Sequence, residues 1–262
     1  MRPNRVTQIK REPEDYARAL LARFQIDRIK DVSEFAKELG LRVREVDSTS
    51  FDGALVRKPN ELKGIVAVKR SIREPGRKIF TIAHEIAHFL LPGHGTSELY
   101  CTASDISSWR TVVARDQELS ANRFAAEILL PLRQIYDIVN RQKATITLAK
   151  ELSTEFNTSL TATVIKCVEA TEEACAVVWS VDNEIRWSRK NSQFSFFINS
   201  GRLGVDSLAG QLFQNTTEKH LNDELPADSW LGNENLKGST IWEDSIYLPY
   251  YNGVLSILTV NK

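Results

Sequence analysis

The sequence predicts an α+β fold with a mixed N-terminal region, a helical middle and a mainly β C-terminal region. Segments of helical period alternate with short strand-like runs in the first third of the chain. Residues 132–170 then keep a helical period throughout, and four of the five tryptophans follow this stretch. We therefore expect a first domain over 1–135, a helical connector over 136–172 and a β-rich domain over 173–262.

Two helices and three strands are predicted at the start of the chain. Pro13 suits the first turn of a helix, and apolar residues recur at helical spacing from there to Phe24. Asp31 with Glu34 resembles a capping box that begins a second helix, and Gly40 ends it. The predicted strands are Leu41–Val46, Phe51–Val56 and Gly64–Lys69, separated by the turn signals Asp52-Gly53 and Pro59-Asn60.

Longer helices are predicted in the next part of the chain. One covers about Pro75–Leu91, and another runs from about Thr111 to Leu130, where Pro131 stops it. The helical stretch that follows contains two short helices around the break Asn157-Thr158-Ser159. Two short helices joined by such a turn outline a helix-turn-helix.

The C-terminal region is predicted to be a sheet with one helix near Gly204–Gln214. Hairpin turns are expected at Asp182-Asn183 and Asn252-Gly253, because these residue pairs favour the tight turns between antiparallel strands. Strand-like runs occur at Ala174–Trp179, Phe194–Ile198 and Val254–Val260.

Composition limits the class of protein. The chain carries 34 basic and 34 acidic side chains, and no apolar run approaches the roughly 20 residues that span a bilayer. Its start, Met1–Glu14, is charged and lacks a hydrophobic signal core. Three cysteines form no disulfide framework and suit a reducing compartment. We therefore expect a cytoplasmic protein without a membrane segment.

The pentapeptide His84-Glu85-Ile86-Ala87-His88 carries the strongest chemical signal. On a helix, residues four apart lie on one face, about one turn apart, so both imidazoles can bind one Zn²⁺. Glu85 is then placed to accept a proton from a water molecule on the metal. The pattern predicts peptide hydrolysis, with His84 and His88 as metal ligands and Glu85 as the catalytic base.

A catalytic zinc site usually has three protein ligands, so a third ligand is needed. His94 has the spacing found in the metzincin proteases. Those proteins have glycine where this chain has Leu91, because the backbone must turn there, and leucine does not readily take a positive φ. They also carry a methionine turn, whereas Met1 is the only methionine of this chain. The metzincin interpretation is therefore rejected.

Glu118, thirty residues after His88, is the other candidate for the third ligand. It lies on the next predicted helix, and a helix packed beside the first one can direct a carboxylate at the metal. Ala121 and Ala125 lie on about the same stripe and allow close approach of the two helices. Asn122, one turn after Glu118, can hydrogen-bond a ligand from outside the metal site.

These residues resemble the ImmA/IrrE family of zinc metallo-endopeptidases. The segment Phe80–His88 carries the resemblance together with the motif that begins at Glu118 and ends Leu129-Leu130-Pro131. The similarity is specific across residues 72–132 and weaker over 140–170. It implies a minimal-zincin-like domain, in which two ligand-bearing helices pack on a small sheet.

The resemblance also implies a function. By position, it makes His84, His88 and Glu118 the Zn²⁺ ligands and Glu85 the catalytic base. It implies an intracellular endopeptidase with a protein substrate, a helix-turn-helix transcriptional repressor. Cleavage of that repressor would relieve repression in a stress response or of a mobile element.

Several residues have alternative interpretations. His94 fits a polar loop residue better than a hydrogen-bond donor to the transition state. Tyr100 fits a packed loop residue better than an oxyanion donor, and Cys101 a small buried residue better than an inhibitory thiolate. The strands 51–57 and 64–69 either offer an edge to a substrate strand or are plain core strands.

Two alternatives concern the function of the chain as a whole. The helix-turn-helix outline is also consistent with a non-catalytic regulator that binds DNA or a repressor and holds a structural zinc. DNA binding needs a basic face, however, and residues 142–170 carry three lysines against three glutamates. We therefore expect a helical connector without direct DNA binding. The aromatic residues of the C-terminal domain raise a further alternative, a sensor or regulatory role.

Overall fold

The structure, a computed structural model, describes residues 11–57, 62–94, 98–101, 116–214, 219–232 and 238–260, with the backbone alone described at 98–101. This part of the chain forms eight α-helices and nine strands in two sheets, which confirms the predicted α+β class. No helix in it is long and apolar enough to cross a bilayer. The chain divides into two compact units, Met1–Pro131 and Leu132–Lys262. The three-part division stays a prediction.

The N-terminal unit begins with helices that follow their sequence signals. Pro13 occupies the first turn of α1, and Asp31 caps α2 by accepting hydrogen bonds from the backbone N–H groups of Ser33 (2.8 Å) and Glu34 (3.0 Å). The described elements are α1 (Pro13–Arg23), α2 (Val32–Glu38), β1 (Leu41–Val46), β2 (Gly53–Arg57), β3 (Gly64–Lys69), α3 (Pro75–Leu90), β4 (Glu98–Cys101) and α4 (Asp116–Leu129).

The sheet of this unit has the strand order β1-β3-β2-β4. β1 and β3 are parallel, whereas β2 is antiparallel to both β3 and β4. β2 begins at Gly53, opposite Val68, so the predicted Asp52-Gly53 turn is instead the entry to a strand. Both β2 and β3 have a neighbour on each side, so neither offers a free edge to a substrate strand.

Helix α3 lies in the middle of the N-terminal unit. It packs on β2 and β3 and on α4, while α4 also packs on α1. Its neighbours Leu55, Val66 and Phe124 belong to one buried apolar cluster with Ala83 and Ile86 of α3 itself. Because α3 is enclosed in this way, its whole HEIAH segment is buried.

The C-terminal unit begins with three helices. Between α6 and α7, Asn157 takes a left-handed conformation (φ 55°) and Ser159 caps α7, which confirms the predicted break. The described elements are α5 (Leu132–Gln142), α6 (Ile146–Phe156), α7 (Leu160–Ala170), β5 (Ala174–Val181), β6 (Glu184–Lys190), α8 (Leu208–Gln214), β7 (His220–Pro226), β8 (Thr240–Leu248) and β9 (Gly253–Val260).

The second sheet is antiparallel, with the order β6-β5-β9-β8-β7. Asp182 and Asn183 form the predicted hairpin turn with positive φ values of 53° and 61°. The predicted strand Phe194–Ile198 is wrong: apart from an isolated bridge at Ile198, the segment has no strand partner. Phe194 is buried in the apolar core and Phe196 and Ile198 pack against it, while Phe197 is 74% exposed, so the run is an irregular segment held by its apolar side chains.

The predicted Asn252-Gly253 turn also differs from the structure. Pro249–Tyr251 form a single 3₁₀ turn, and only Asn252 has a positive φ, 46°. Gly253 is already the first residue of β9, opposite Leu248. The connection therefore takes four residues, Pro249 to Asn252, rather than two.

Glu243 is a fully buried carboxylate in the middle of β8. It accepts hydrogen bonds from the backbone N–H groups of Leu208 (3.0 Å) and Ala209 (2.7 Å) at the start of α8, and from the side chains of Trp230 and Ser245. Burial raises the pKa of Glu243, and these hydrogen bonds oppose that effect. Glu243 therefore acts as an N-terminal cap that a strand supplies to a helix.

Asp244, the next residue of β8, does the same on the opposite face of the sheet. Successive strand residues point to opposite faces. Asp244 Oδ2 accepts a hydrogen bond from the backbone N–H of Ile146 (2.8 Å) at the start of α6, and Oδ1 lies 2.6 Å from His220 Nε2. Two adjacent acidic residues thus fix one helix on each face of the sheet.

Replacing Glu243 by Gln is expected to lower the free energy of unfolding of the C-terminal unit by about 1–3 kcal/mol, because the amide NH₂ leaves buried donors without an acceptor. Urea unfolding of the full chain, followed by the fluorescence of Trp230 and its neighbours, measures this. Glu184→Gln on β6, where the side chain is 55% exposed, is the matched control and should change the stability by about 0.5 kcal/mol or less. Equal effects of the two changes would contradict the assigned role of Glu243.

Candidate metal centre

Helix α3 presents two histidine rings to one point. Pro75 occupies its first turn, and His84 and His88 follow one turn apart, each with its side chain fully buried. Their Nε2 atoms are 3.0 Å apart. The spacing of four residues between the two histidines therefore places two ring nitrogens opposite each other in the structure.

The carboxylate of Glu118 completes this cluster from the first turn of α4. Glu118 Oε2 lies 3.1 Å from His84 Nε2, and Oε1 lies 3.3 Å from His88 Nε2. Each of the three residues offers a ligand atom, and all of these atoms lie within 4.8 Å of one another. The structure thus brings together the three residues that the sequence predicts as ligands.

The spacing of these atoms suits a small tetrahedral metal ion. Ligands bound at about 2.0–2.2 Å around such an ion lie about 3.3–3.6 Å from one another. The separations of 3.0, 3.1 and 3.3 Å fall close to that range. Two imidazole nitrogens and one carboxylate are also a donor set found in catalytic zinc sites.

The arrangement of protons around His84 supports the same conclusion. His84 Nδ1 lies 3.0 Å from Asn122 Oδ1, which can only accept, so the ring proton is on Nδ1. Nε2 therefore keeps its lone pair and directs it at the point shared with His88 and Glu118. The hydrogen bond predicted between Asn122 and one of the candidate ligands is thus present in the structure. A cation bound between these three side chains would accept their lone pairs and would offset the negative charge of Glu118.

The electrostatics of Glu118 keep it ionised. Its side chain is 20% exposed, and burial acts to raise its pKa. The contacts of its carboxylate with the rings of His84 and His88 outweigh burial and hold the pKa of Glu118 well below its usual value. Glu118 is thus available as an anionic ligand across the neutral pH range.

Glu85 is fully buried beside the first histidine, and strand β2 fits closely around its carboxylate. A Cβ atom at Gly53 would lie 2.5 Å from Glu85 Oε1 and 2.6 Å from Thr81 Cγ2, both far inside ordinary contact distance. Only glycine leaves room for Glu85 in this position. This role is not visible in the sequence, where Asp52-Gly53 resembles a turn.

Asp52 fixes the start of β2 against α3. It is buried, and it forms ion pairs with Arg77 of α3 (2.5 Å) and Lys69 of β3 (3.4 Å). Arg77 lies in the helix that carries Glu85, so these pairs tie the strand, its neighbour and the helix together. The packing of β2, β3 and α3 against one another therefore holds Gly53 close to Glu85.

His94 lies outside the cluster of His84, His88 and Glu118 but in contact with it. Its Nδ1 is 2.9 Å from His88 Nδ1, the nitrogen on the other side of that ring from Glu118. His94 is buried (5% exposed), and burial is the largest cause that lowers the pKa of His94 to about 4. The ring is therefore neutral at neutral pH, and its position agrees with the rejection of the metzincin interpretation.

Tyr100 and Cys101, which the sequence suggests as possible site residues, belong to β4. The backbone of Tyr100 and Cys101 pairs with Ala54 and Gly53 of β2, but their side chains lie outside the described residues. Their roles as oxyanion donor or inhibitory thiolate stay predictions.

Comparison with solved structures shows that the fold is a known one. A solved structure with a similar fold is a Mycobacterium tuberculosis transcriptional regulator, with a TM-score of 0.62 and 17% sequence identity over 95% of this chain and 76% of that chain. Identity at this level shows the fold alone. A search of curated proteins by sequence found no match.

A family model covers the site itself. The model, described as an IrrE N-terminal-like domain, matches residues 36–167, which is half of the chain. The matched range runs from α2 into α7 and includes the HEIAH segment, Glu118 and Asn122. This match confirms the resemblance that the motifs indicated: the chain belongs to the Peptidase_M78 family of IrrE N-terminal-like domains.

Proposed function

We propose that this chain is a zinc-dependent endopeptidase that hydrolyses a peptide bond in a specific protein substrate. His84, His88 and Glu118 would hold the Zn²⁺, and Glu85 would act as the general base. The observation that carries the proposal is the convergence of three ligand atoms within 4.8 Å, next to a fully buried glutamate. Membership in a metallopeptidase family supports it.

The proposed roles follow from the chemistry of these residues. When bound, Zn²⁺ supplies Lewis acidity that polarises the scissile carbonyl and lowers the pKa of water. Glu85 accepts the proton of the attacking water through a carboxylate oxygen and returns it to the departing amine nitrogen. The packing of Gly53 and Thr81 around Glu85 restricts where that proton transfer takes place.

The number of protein ligands favours a catalytic site over a structural one. Structural zinc sites are almost always closed by four protein ligands, whereas catalytic sites have three and leave a position open. Among the described residues, the cluster consists of His84, His88 and Glu118, and His94 contacts the outer side of His88 instead. This argues against the alternative of a non-catalytic regulator with a structural zinc.

We further propose that the substrate is a helix-turn-helix transcriptional repressor, whose cleavage relieves repression in a stress response or of a mobile element. The family resemblance motivates this choice. The chain would meet its substrate in the cytoplasm, where free thiols such as Cys167 and Cys175 persist. Recognition would be between proteins without direct DNA contact, since residues 142–170 have no excess of basic side chains.

Cleavage of a repressor encoded beside this chain tests the proposal. We expect the purified full chain, loaded with Zn²⁺, to cut the repressor at one bond, as seen by mass spectrometry of the products. A chelator should abolish cleavage, and added Zn²⁺ should restore it. Binding of the repressor without cleavage by the loaded protein would instead support the non-catalytic regulator.

A further inference from the structure

We infer that His94 is a positioning residue that holds the ring of His88 in the tautomer required for metal binding. This inference rests on the proposed function, because it assumes that His88 binds the metal through Nε2. The observation that carries it is the contact of 2.9 Å between His94 Nδ1 and His88 Nδ1, two ring nitrogens that are both buried.

A contact between two imidazole nitrogens needs one proton shared between them. Two lone pairs would repel, and two N–H groups would clash, so one ring donates and the other accepts. His88 must leave Nε2 unprotonated to bind a cation, and a neutral ring then carries its proton on Nδ1. His88 is therefore the donor, and His94 accepts through Nδ1 and carries its own proton on Nε2.

The position of His94 is held from strand β2. Arg57 donates from one guanidinium nitrogen to the carbonyl oxygen of Phe89 (3.2 Å) and from another to that of His94 (3.5 Å). The guanidinium also lies over the Phe89 ring, 5.7 Å from its centroid. The segment after α3 is thus fastened to the sheet on which α3 packs, and the acceptor cannot easily move away from His88.

The two histidine ligands are now supported in the same way. His84 donates from Nδ1 to Asn122 of α4, and His88 donates from Nδ1 to His94 beyond the end of α3. Partners of this kind fix the tautomer and the orientation of a metal-binding ring, and their loss typically lowers metal affinity about 10- to 100-fold. A neutral acceptor at His94 provides this support without adding negative charge to the site.

The inference is tested by measuring the Zn²⁺ affinity of the full chain and its variants by competition with a chelator, without any substrate. In His94→Asn the side-chain oxygen takes about the place of Nδ1, whereas His94→Leu keeps the volume and has no acceptor. We expect His94→Leu to bind Zn²⁺ about 10- to 100-fold more weakly than the natural chain and His94→Asn to recover most of this loss. Thermal unfolding of the metal-free proteins checks that both variants fold.

A second readout is the position of the ring proton of His94 in the natural chain. The sequence contains four histidines, so the side-chain ¹⁵N spectrum is simple, and the His94→Asn spectrum identifies the signals of His94. We expect His94 to carry its proton on Nε2. A proton on Nδ1, or equal Zn²⁺ affinity of His94→Leu and the natural chain, would overturn the inference.

The outcomes separate this inference from the proposed function. If the natural chain binds no Zn²⁺, both are overturned. If it binds Zn²⁺ with the expected dependence on His94 but cleaves no protein, the positioning role stands and the endopeptidase proposal fails. Equal weakening in His94→Asn and His94→Leu would show that the ring is needed for its shape, which also overturns the acceptor role.

Discussion

Replacing Glu85 by Gln is expected to lower the rate of peptide cleavage by about 100- to 10,000-fold while the protein keeps its metal, since this range is typical of a positioned general base. The amide has nearly the shape of the carboxylate, so the packing against Gly53 is preserved. It cannot accept the proton of the attacking water. The proposed ligands His84, His88 and Glu118 are unchanged, so zinc content measured on the purified variant should equal that of the natural chain.

A matched control separates this effect from the loss of a buried charge. Glu127 of α4 is also buried (1% exposed), and it pairs with Arg18 of α1 (3.3 Å) outside the metal cluster. Glu127→Gln makes the same chemical change in the same unit, and its zinc content and cleavage rate per folded molecule should stay near those of the natural chain. A Glu85→Gln protein that cleaves at the natural rate would rule out Glu85 as the base.

Replacing Gly53 by Ala is expected to lower the cleavage rate by about 100-fold, the loss that a displacement of about 1 Å can cause at a catalytic centre. The new Cβ would lie 2.5 Å from Glu85 Oε1, so the carboxylate must move. Gly53 lies in a strand and is not among the glycines with positive φ, so alanine suits its backbone. Zinc affinity should stay unchanged, because no ligand is touched.

Two further variants identify the cause of the effect. Gly64→Ala on β3 is a matched control, since its Cβ would first meet a methyl group of Leu41 at 3.0 Å and would not approach Glu85. Thr81→Ser removes the Cγ2 atom that lies 2.6 Å from the same position. If Gly53→Ala regains full activity when it is combined with Thr81→Ser, the obstacle is Thr81 rather than Glu85, and the proposed restriction of Glu85 is incorrect.

The two helices that carry the metal cluster could be predicted from the sequence, because the spacing of residues along a helix determines which of them share a face. His84 and His88 share a face of α3 wherever that helix packs in the fold. Glu118 could be predicted as the third residue of the cluster because Ala121 and Ala125 mark the side on which α4 approaches its neighbour. A capping residue such as Asp31 accepts hydrogen bonds from backbone groups within one turn of its own position. Features of this kind depend on residues close together in sequence, and they appear in the structure nearly as predicted.

The features that were missed depend on residues far apart in sequence. The close fit of Gly53 is visible only once Glu85 lies against β2, and the position of His94 depends on Arg57, which lies 37 positions before it in the chain. The run Phe194–Ile198 has the composition of a strand but finds no partner to pair with. The local sequence pattern does not show which distant residues will be in contact, because tertiary packing alone determines those contacts.

Cutting this chain at the end of the family match would damage it. The match ends at residue 167, inside α7, whereas the helices from Leu132 onward share one compact unit with the second sheet. Asp244 supplies the acceptor at the start of α6 from a strand that such a cut removes. A fragment meant to fold by itself should therefore end near Pro131. The family match and the first compact unit of the structure therefore end at different residues of this chain.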